Sequence, residues 1–185
     1  NTGGSYSGSG LPSTETSVDE IWTVRVTPND GYVDGDYAEA SITILNSEPQ
    51  LTDITISPSA GIYNDSTLTC SATATDLDGD SLNVTYEWST GETSDSITLD
   101  GSLNPTDTVT CTATLSDGTD SISESDSVTL ENRTPVVSNV LIDADGQLWN
   151  GTTLTCSASV VDDDGETPSL SYAWTLSDGS EVEGE

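Results

Sequence analysis

Residues 67–76 read Thr-Leu-Thr-Cys-Ser-Ala-Thr-Ala-Thr-Asp, an unbroken alternation of hydroxyl and apolar side chains. A two-residue period puts Leu68, Cys70, Ala72 and Ala74 on one side of an extended chain and the hydroxyls on the other. β-Branched threonine suits a pleated, half-wet surface. The same period returns over 82–88, with Leu82, Val84, Tyr86 and Trp88 inward, and over 107–115, with Val109, Cys111, Ala113 and Leu115 inward. It returns again over 22–26, with Trp22, Val24 and Val26 inward, and over 153–160, with Leu154, Cys156, Ala158 and Val160 inward. No segment sustains a helical apolar period. The fold class is therefore all-β, and the patterning outweighs an acidic, hydroxyl-rich composition that would otherwise suit disorder.

The composition excludes more than it names. Asp and Glu number 33 against 2 Lys and Arg, a formal charge of −31. Two cations cannot neutralise a phosphate backbone, so nucleic acid is not a partner. Histidine is absent, which removes the imidazole base of hydrolytic triads and the commonest zinc ligand. The apolar stretches are short, so no membrane span is expected. Arg25 and Arg133 read as single exposed cations paired with nearby acids at the surface.

An internal repeat sets the expected boundaries. Residues 46–99 overlie 132–185 at a constant offset of 86 without a gap. The matches include Asn46/Asn132, Pro49/Pro135, Asn64/Asn150, Cys70/Cys156, Asp76/Asp162, Asp78/Asp164, Gly79/Gly165, Tyr86/Tyr172 and Trp88/Trp174. Residues 22–46 parallel 109–132 with one gap. The expected organisation is the rear of one repeat (1–45, of which 1–17 is a loop or frayed end), a complete repeat (46–131) and the front of a third (132–185). Pro49 and Pro135 end the linkers NSEP and NRTP, where unit boundaries belong because proline does not sit in a central strand. The expectation is that 1–185 is a window from a longer repeat protein. The sharper alternative completes each front half with the next chain's rear half, in a head-to-tail fibre. Cysteine placement weighs against that joint, since the donated strand would bring Val24 rather than a cysteine to Cys156.

Cys70, Trp88 and Cys111 fall in that order on what reads as seven short strands, the cysteines on the second and sixth. This resembles an immunoglobulin-like sandwich. The NxxP linkers, the D-x-D-G-[DE] turns, Tyr-x-Trp on the following strand and a late Asp-Gly turn together resemble tandem PKD-type and immunoglobulin-like repeats of prokaryotic surface proteins. The resemblance implies tandem β-sandwich repeats of about 86 residues, the first and last incomplete. It also implies a Cys70–Cys111 disulfide, the alternative being two small buried thiols. A unit of this size with alanine-filled strands has a thin core, so a cross-link matters to it. A disulfide implies export, hence an extracellular or cell-surface location. Cys156 is left over, its partner expected beyond residue 185.

Two acidic turns are the candidate metal ligands: Asp76, Asp78 and Asp80, and at the same offset Asp162, Asp164 and Glu166. Alternate carboxylates about a glycine bend can converge on one hard cation, and Ca²⁺ takes about six to eight oxygens. The alternative is an ordinary solvated turn. Four N-x-[ST] sequons, at Asn64, Asn83, Asn132 and Asn150, are candidate glycosylation sites. The acids are scattered over turns and strand exteriors, which does not suit the facing pair of a glycosidase. The expected function is non-enzymatic: a secreted structural repeat glycoprotein forming a stalk, filament or surface layer by end-to-end self-association. The alternatives are an adhesin or glycan-binding array, and a spacer attached to an enzyme outside this window.

Overall fold

The alternating segments form strands because each can bury its apolar side while its hydroxyls stay wet. The computed structural model describes residues 6–177 and 181–182, so the first five residues of the expected N-terminal loop, and 178–180 and 183–185 of the last expected repeat, lie outside the described residues. In chain order the strands are β1 (Ile21–Val26), β2 (Ala38–Thr43), β3 (Gln50–Ser57), β4 (Thr67–Thr75), β5 (Asn83–Trp88), β6 (Ser96–Thr98), β7 (Thr108–Ser116), β8 (Ser121–Thr129), β9 (Val136–Ala144), β10 (Leu154–Val161), β11 (Trp174–Thr175) and β12 (Glu181–Val182). A short 3-10 turn at Ser13–Glu15 precedes them. Among the described residues no helix is long and apolar enough to cross a membrane.

Five sheets result. β1 pairs with β2, β9 with β10 and β11 with β12, each as an antiparallel two-stranded sheet, while β3-β4-β6 and β5-β7-β8 form three-stranded sheets. In the first of these, Leu68 stands opposite Ile97 and Thr69 opposite Ser96 across an antiparallel ladder. Hydroxyl pairs line its wet side: Thr67 with Thr98 at 2.8 Å and Thr52 with Thr73 at 2.9 Å. The β9–β10 ladder carries an irregularity between Ser157 and Ser159.

The chain divides into two compact units. The first comprises Asn1–Thr55, Ser71–Tyr86 and Thr112–Ser125, and holds the β1–β2 sheet and the turn bearing Asp76. The second comprises Ile56–Cys70, Glu87–Cys111 and Asp126–Glu185, and holds the disulfide, Trp88 and the turn bearing Asp164.

Among the described residues the buried hydrophobic side chains lie between 49 and 130. On β7 the alternation is complete: Val109, Cys111, Ala113 and Leu115 are each 0% exposed, with the hydroxyls between them outside. Cys70 of β4 is bonded to Cys111 of β7, their Cα atoms 6.5 Å apart, so a covalent link ties the two three-stranded sheets in a β-sandwich-like arrangement. Trp88 closes β5, buried, with its indole Nε1–H donating to the Ser94 carbonyl at 2.8 Å.

Several expectations need correction. Between residues 50 and 130 there are six strands rather than seven, which places Cys111 on the fifth and not the sixth. Residues 99–107, Leu-Asp-Gly-Ser-Leu-Asn-Pro-Thr-Asp, form bends and turns, as their glycine, proline and acids favour. Val24, Val26 and Leu154, read as inward, are exposed. The alternation tells which side of a strand is apolar, and the small β1–β2 and β9–β10 sheets carry no buried hydrophobic residue on either side. Tyr172 precedes β11 instead of lying on a strand. Ile142, Cys156 and Trp174 line an open groove of about 320 Å³ in the second unit, whereas Ile56, Cys70 and Trp88, at the offset of 86, are buried.

Candidate functional site

The two acidic turns are built alike from the backbone outward. Gly79 and Gly165 sit at φ +80° and +87°, a left-handed bend that residues with a Cβ rarely adopt. Each bend lets the first aspartate cap its own turn: Asp76 Oδ1 accepts from the Asp78 N–H at 2.8 Å, and Asp162 Oδ1 from the Asp164 N–H at 2.9 Å. Asp76 Oδ1 also accepts from the Asp80 N–H at 3.2 Å. In each turn the three acids bring one carboxylate oxygen apiece within 4.8 Å of one another.

Each turn is also clasped by a linker. The Ser47 N–H donates to Asp78 Oδ2 at 2.6 Å, and at the offset of 86 the Arg133 N–H donates to Asp164 Oδ2. The preceding asparagine bridges forward in both places, Asn46 Nδ2 to the Ser47 carbonyl at 3.2 Å and Asn132 Nδ2 to the Arg133 carbonyl at 2.7 Å. Asn46 Nδ2 additionally donates to Asp117 Oδ2 at 2.9 Å and Asp120 Oδ2 at 3.0 Å. The Asp120 backbone N–H, then the Asn46 amide and the Thr119 N–H, hold the Asp117 carboxyl below the usual aspartate range. The sign follows: Asp117 contributes stability above its unfolded pKa, and that contribution is lost as pH falls through the lower folded value.

The turns differ in what faces the carboxylates. Asp76 Oδ2 is out of reach of solvent and has no hydrogen-bond partner. A carboxylate oxygen left so is costly, and a cation alongside relieves it. Asp164, by contrast, has its side chain 1% exposed and both oxygens engaged, Oδ2 by the Arg133 N–H and Oδ1 by the guanidinium at 3.2 Å. The guanidinium also reaches Asp65, lies 4.3 Å over the Tyr63 ring and donates to the Asp163 carbonyl at 3.2 Å. Arg133 is thus paired with acids as expected, but it is half-buried and shared between two of them, which corrects the reading of it as exposed. Arg25 matches that reading, paired with Glu39 at 2.7 Å and lying over Tyr37.

The sequons separate by burial. Asn83, Asn132 and Asn150 are exposed. Asn64 is only 5% exposed, and its Nδ2, the atom a glycan would take, donates to the Asp164 carbonyl at 2.9 Å. In this fold Asn64 is a buried strut, with the nitrogen of its sequon already engaged. A sequon is a local pattern, and the partner 100 residues along the chain leaves no trace in it.

The joint role of Asn46 and Arg133 escaped the sequence reading. A signal existed: asparagine recurs at the same place in both linkers, and one of the chain's two cations stands directly after the second. Comparison with family models, curated proteins and solved structures gives no match.

Proposed function

We propose that this chain is part of a secreted, non-enzymatic structural repeat protein, in which immunoglobulin-like β-modules stand in series to build an extracellular stalk, filament or surface layer. One observation carries the reading: the same clasp, linker N–H to turn carboxylate, occurs at residues 47 and 133, each with the preceding asparagine amide bonded to the carbonyl of the clasping residue. A joint repeated at fixed spacing is what a serial array needs. The disulfide supports placement in an oxidising compartment. The edge strands β3 and β8 of the three-stranded sheets turn Thr, Ser, Asp and Glu outward, which keeps those edges polar and supports contact through module ends instead.

The turn at Asp76, Asp78 and Asp80 is proposed as the Ca²⁺ site, on the support of the orphaned Asp76 Oδ2. A ligand present at about 100 times its Kd stabilises the folded form by about 2.7 kcal/mol. Calorimetry in Ca²⁺ is therefore expected to give a melting temperature several degrees above that in EDTA, with the difference abolished in Asp76→Asn. Superimposable curves for the parent protein would remove calcium from the account.

The stalk reading is tested on native material by negative-stain electron microscopy. Continuous thin fibres with a period of one module are the expected image. Isolated particles that bind one class of glycan, with binding lost on changing a single loop, would replace a stalk with an adhesin.

A further inference from the structure

We propose that Arg133 is a tethered cation that pins the joint between the segments 46–131 and 132–185, and that this joint is held without metal. The proposal rests on the reading of the chain as modules in series, and does not depend on calcium. All the groups involved lie in the second compact unit.

Arg133 reaches forward to the turn after β10, where its N–H and guanidinium take the two oxygens of Asp164 and its Nη1 donates to the Asp163 carbonyl. It reaches backward to the stretch before β4, where its second nitrogen pairs with Asp65 and its plane covers Tyr63. Asn64, between those two residues, closes the same circuit by donating to the Asp164 carbonyl at 2.9 Å. Three consecutive residues before the linker and two after it are thus held through one side chain and its neighbour.

Only part of this is strong. The Asp65 side chain is 67% exposed, and a pair so wet contributes little alone. Asp164 is shut away from water, so removing the arginine leaves a buried carboxylate oxygen uncompensated. The planar fork and the stacked ring also fix the guanidinium in orientation as well as in place, which an ammonium cannot do. At the offset of 86 stands Ser47, which makes the same backbone bond to Asp78 but carries no charge. The one carboxylate oxygen found buried without a partner among the described residues lies in that turn, Asp76 Oδ2.

The test measures the stiffness of the joint in the full chain. Spin labels at Thr93→Cys and Ser138→Cys, in a Cys156→Ser background with the Cys70–Cys111 bond intact, report a distance distribution by pulsed electron resonance. Arg133→Ser is expected to broaden it at least twofold and Arg133→Lys to broaden it less. Arg25→Ser is expected to leave it unchanged, and so is exchange of Ca²⁺ for EDTA. Tyr63→Ala with Asp65→Asn removes the backward contacts without stranding Asp164, and is expected to broaden the distribution even where Arg133→Ser fails to fold. An unchanged width in both Arg133→Ser and the Tyr63/Asp65 variant overturns the pin, as does a parent distribution that broadens in EDTA. Native material lacking fibres would overturn the stalk while leaving the pin standing.

Discussion

Replacing Cys70 and Cys111 together with alanine is expected to destabilise the folded chain by about 4 kcal/mol. The bond closes a loop between residues 41 apart, and the loop-closure entropy it removes from the unfolded chain is of that size. For a unit under 100 residues each kcal/mol shifts the melting temperature by about 4–8 °C, so the midpoint is expected to fall by on the order of 20 °C. The effect is large because so little else is buried. Among the described residues the core is confined to 49–130, and beside Trp88 and a few Ile and Leu it is filled by small side chains such as Val109 and Ala113. Thermal melts of the double variant, and of the parent under reducing conditions, check this. A drop of only a few degrees would mean that the two cysteines act as small apolar residues and that the sheets hold without their link.

Trp88→Ala is the second large expected loss, about 3–5 kcal/mol. Trp88 is 2% exposed, so its removal opens a cavity as well as forfeiting the transfer of a large ring from water. It also removes the donor to the Ser94 carbonyl, which takes the indole N–H at 2.8 Å. Trp88→Phe keeps most of the ring and removes the donor; because Ser94 is exposed and water can replace the indole, it isolates a contribution of about 0.5–1.5 kcal/mol. Trp149 gives the contrast: at 73% exposure its replacement by alanine is expected to change stability by about 0.5 kcal/mol or less. Urea unfolding of the three variants orders them. Equal losses at positions 88 and 149 would contradict the assigned core.

These residues also mark how far the sequence could be read. β4 and β7 were legible because each must keep one side dry and one wet, and that requirement is written at every second position. β6, of three residues, is too short to display a period and was not separately identified. The apolar side of β1 was legible but its exposure was not, because alternation orders the two sides of a strand without saying what covers either. The acidic turns were found from their local pattern. What distinguishes them came from tertiary structure, since Arg133 meets Asp65 and Asp164 across 68 and 31 residues. The same holds for Asn64, a sequon by its neighbours and a buried strut by its distant partner.

The proposed extracellular stalk requires that this chain fold as a cross-linked β-module in an oxidising compartment. Peptide mass mapping of native material, alkylated before digestion and never reduced, tests it most directly. The account predicts a single species in which the peptides bearing Cys70 and Cys111 are joined. Recovery of both as alkylated free thiols, from protein that retains its β-rich circular dichroism, would contradict it.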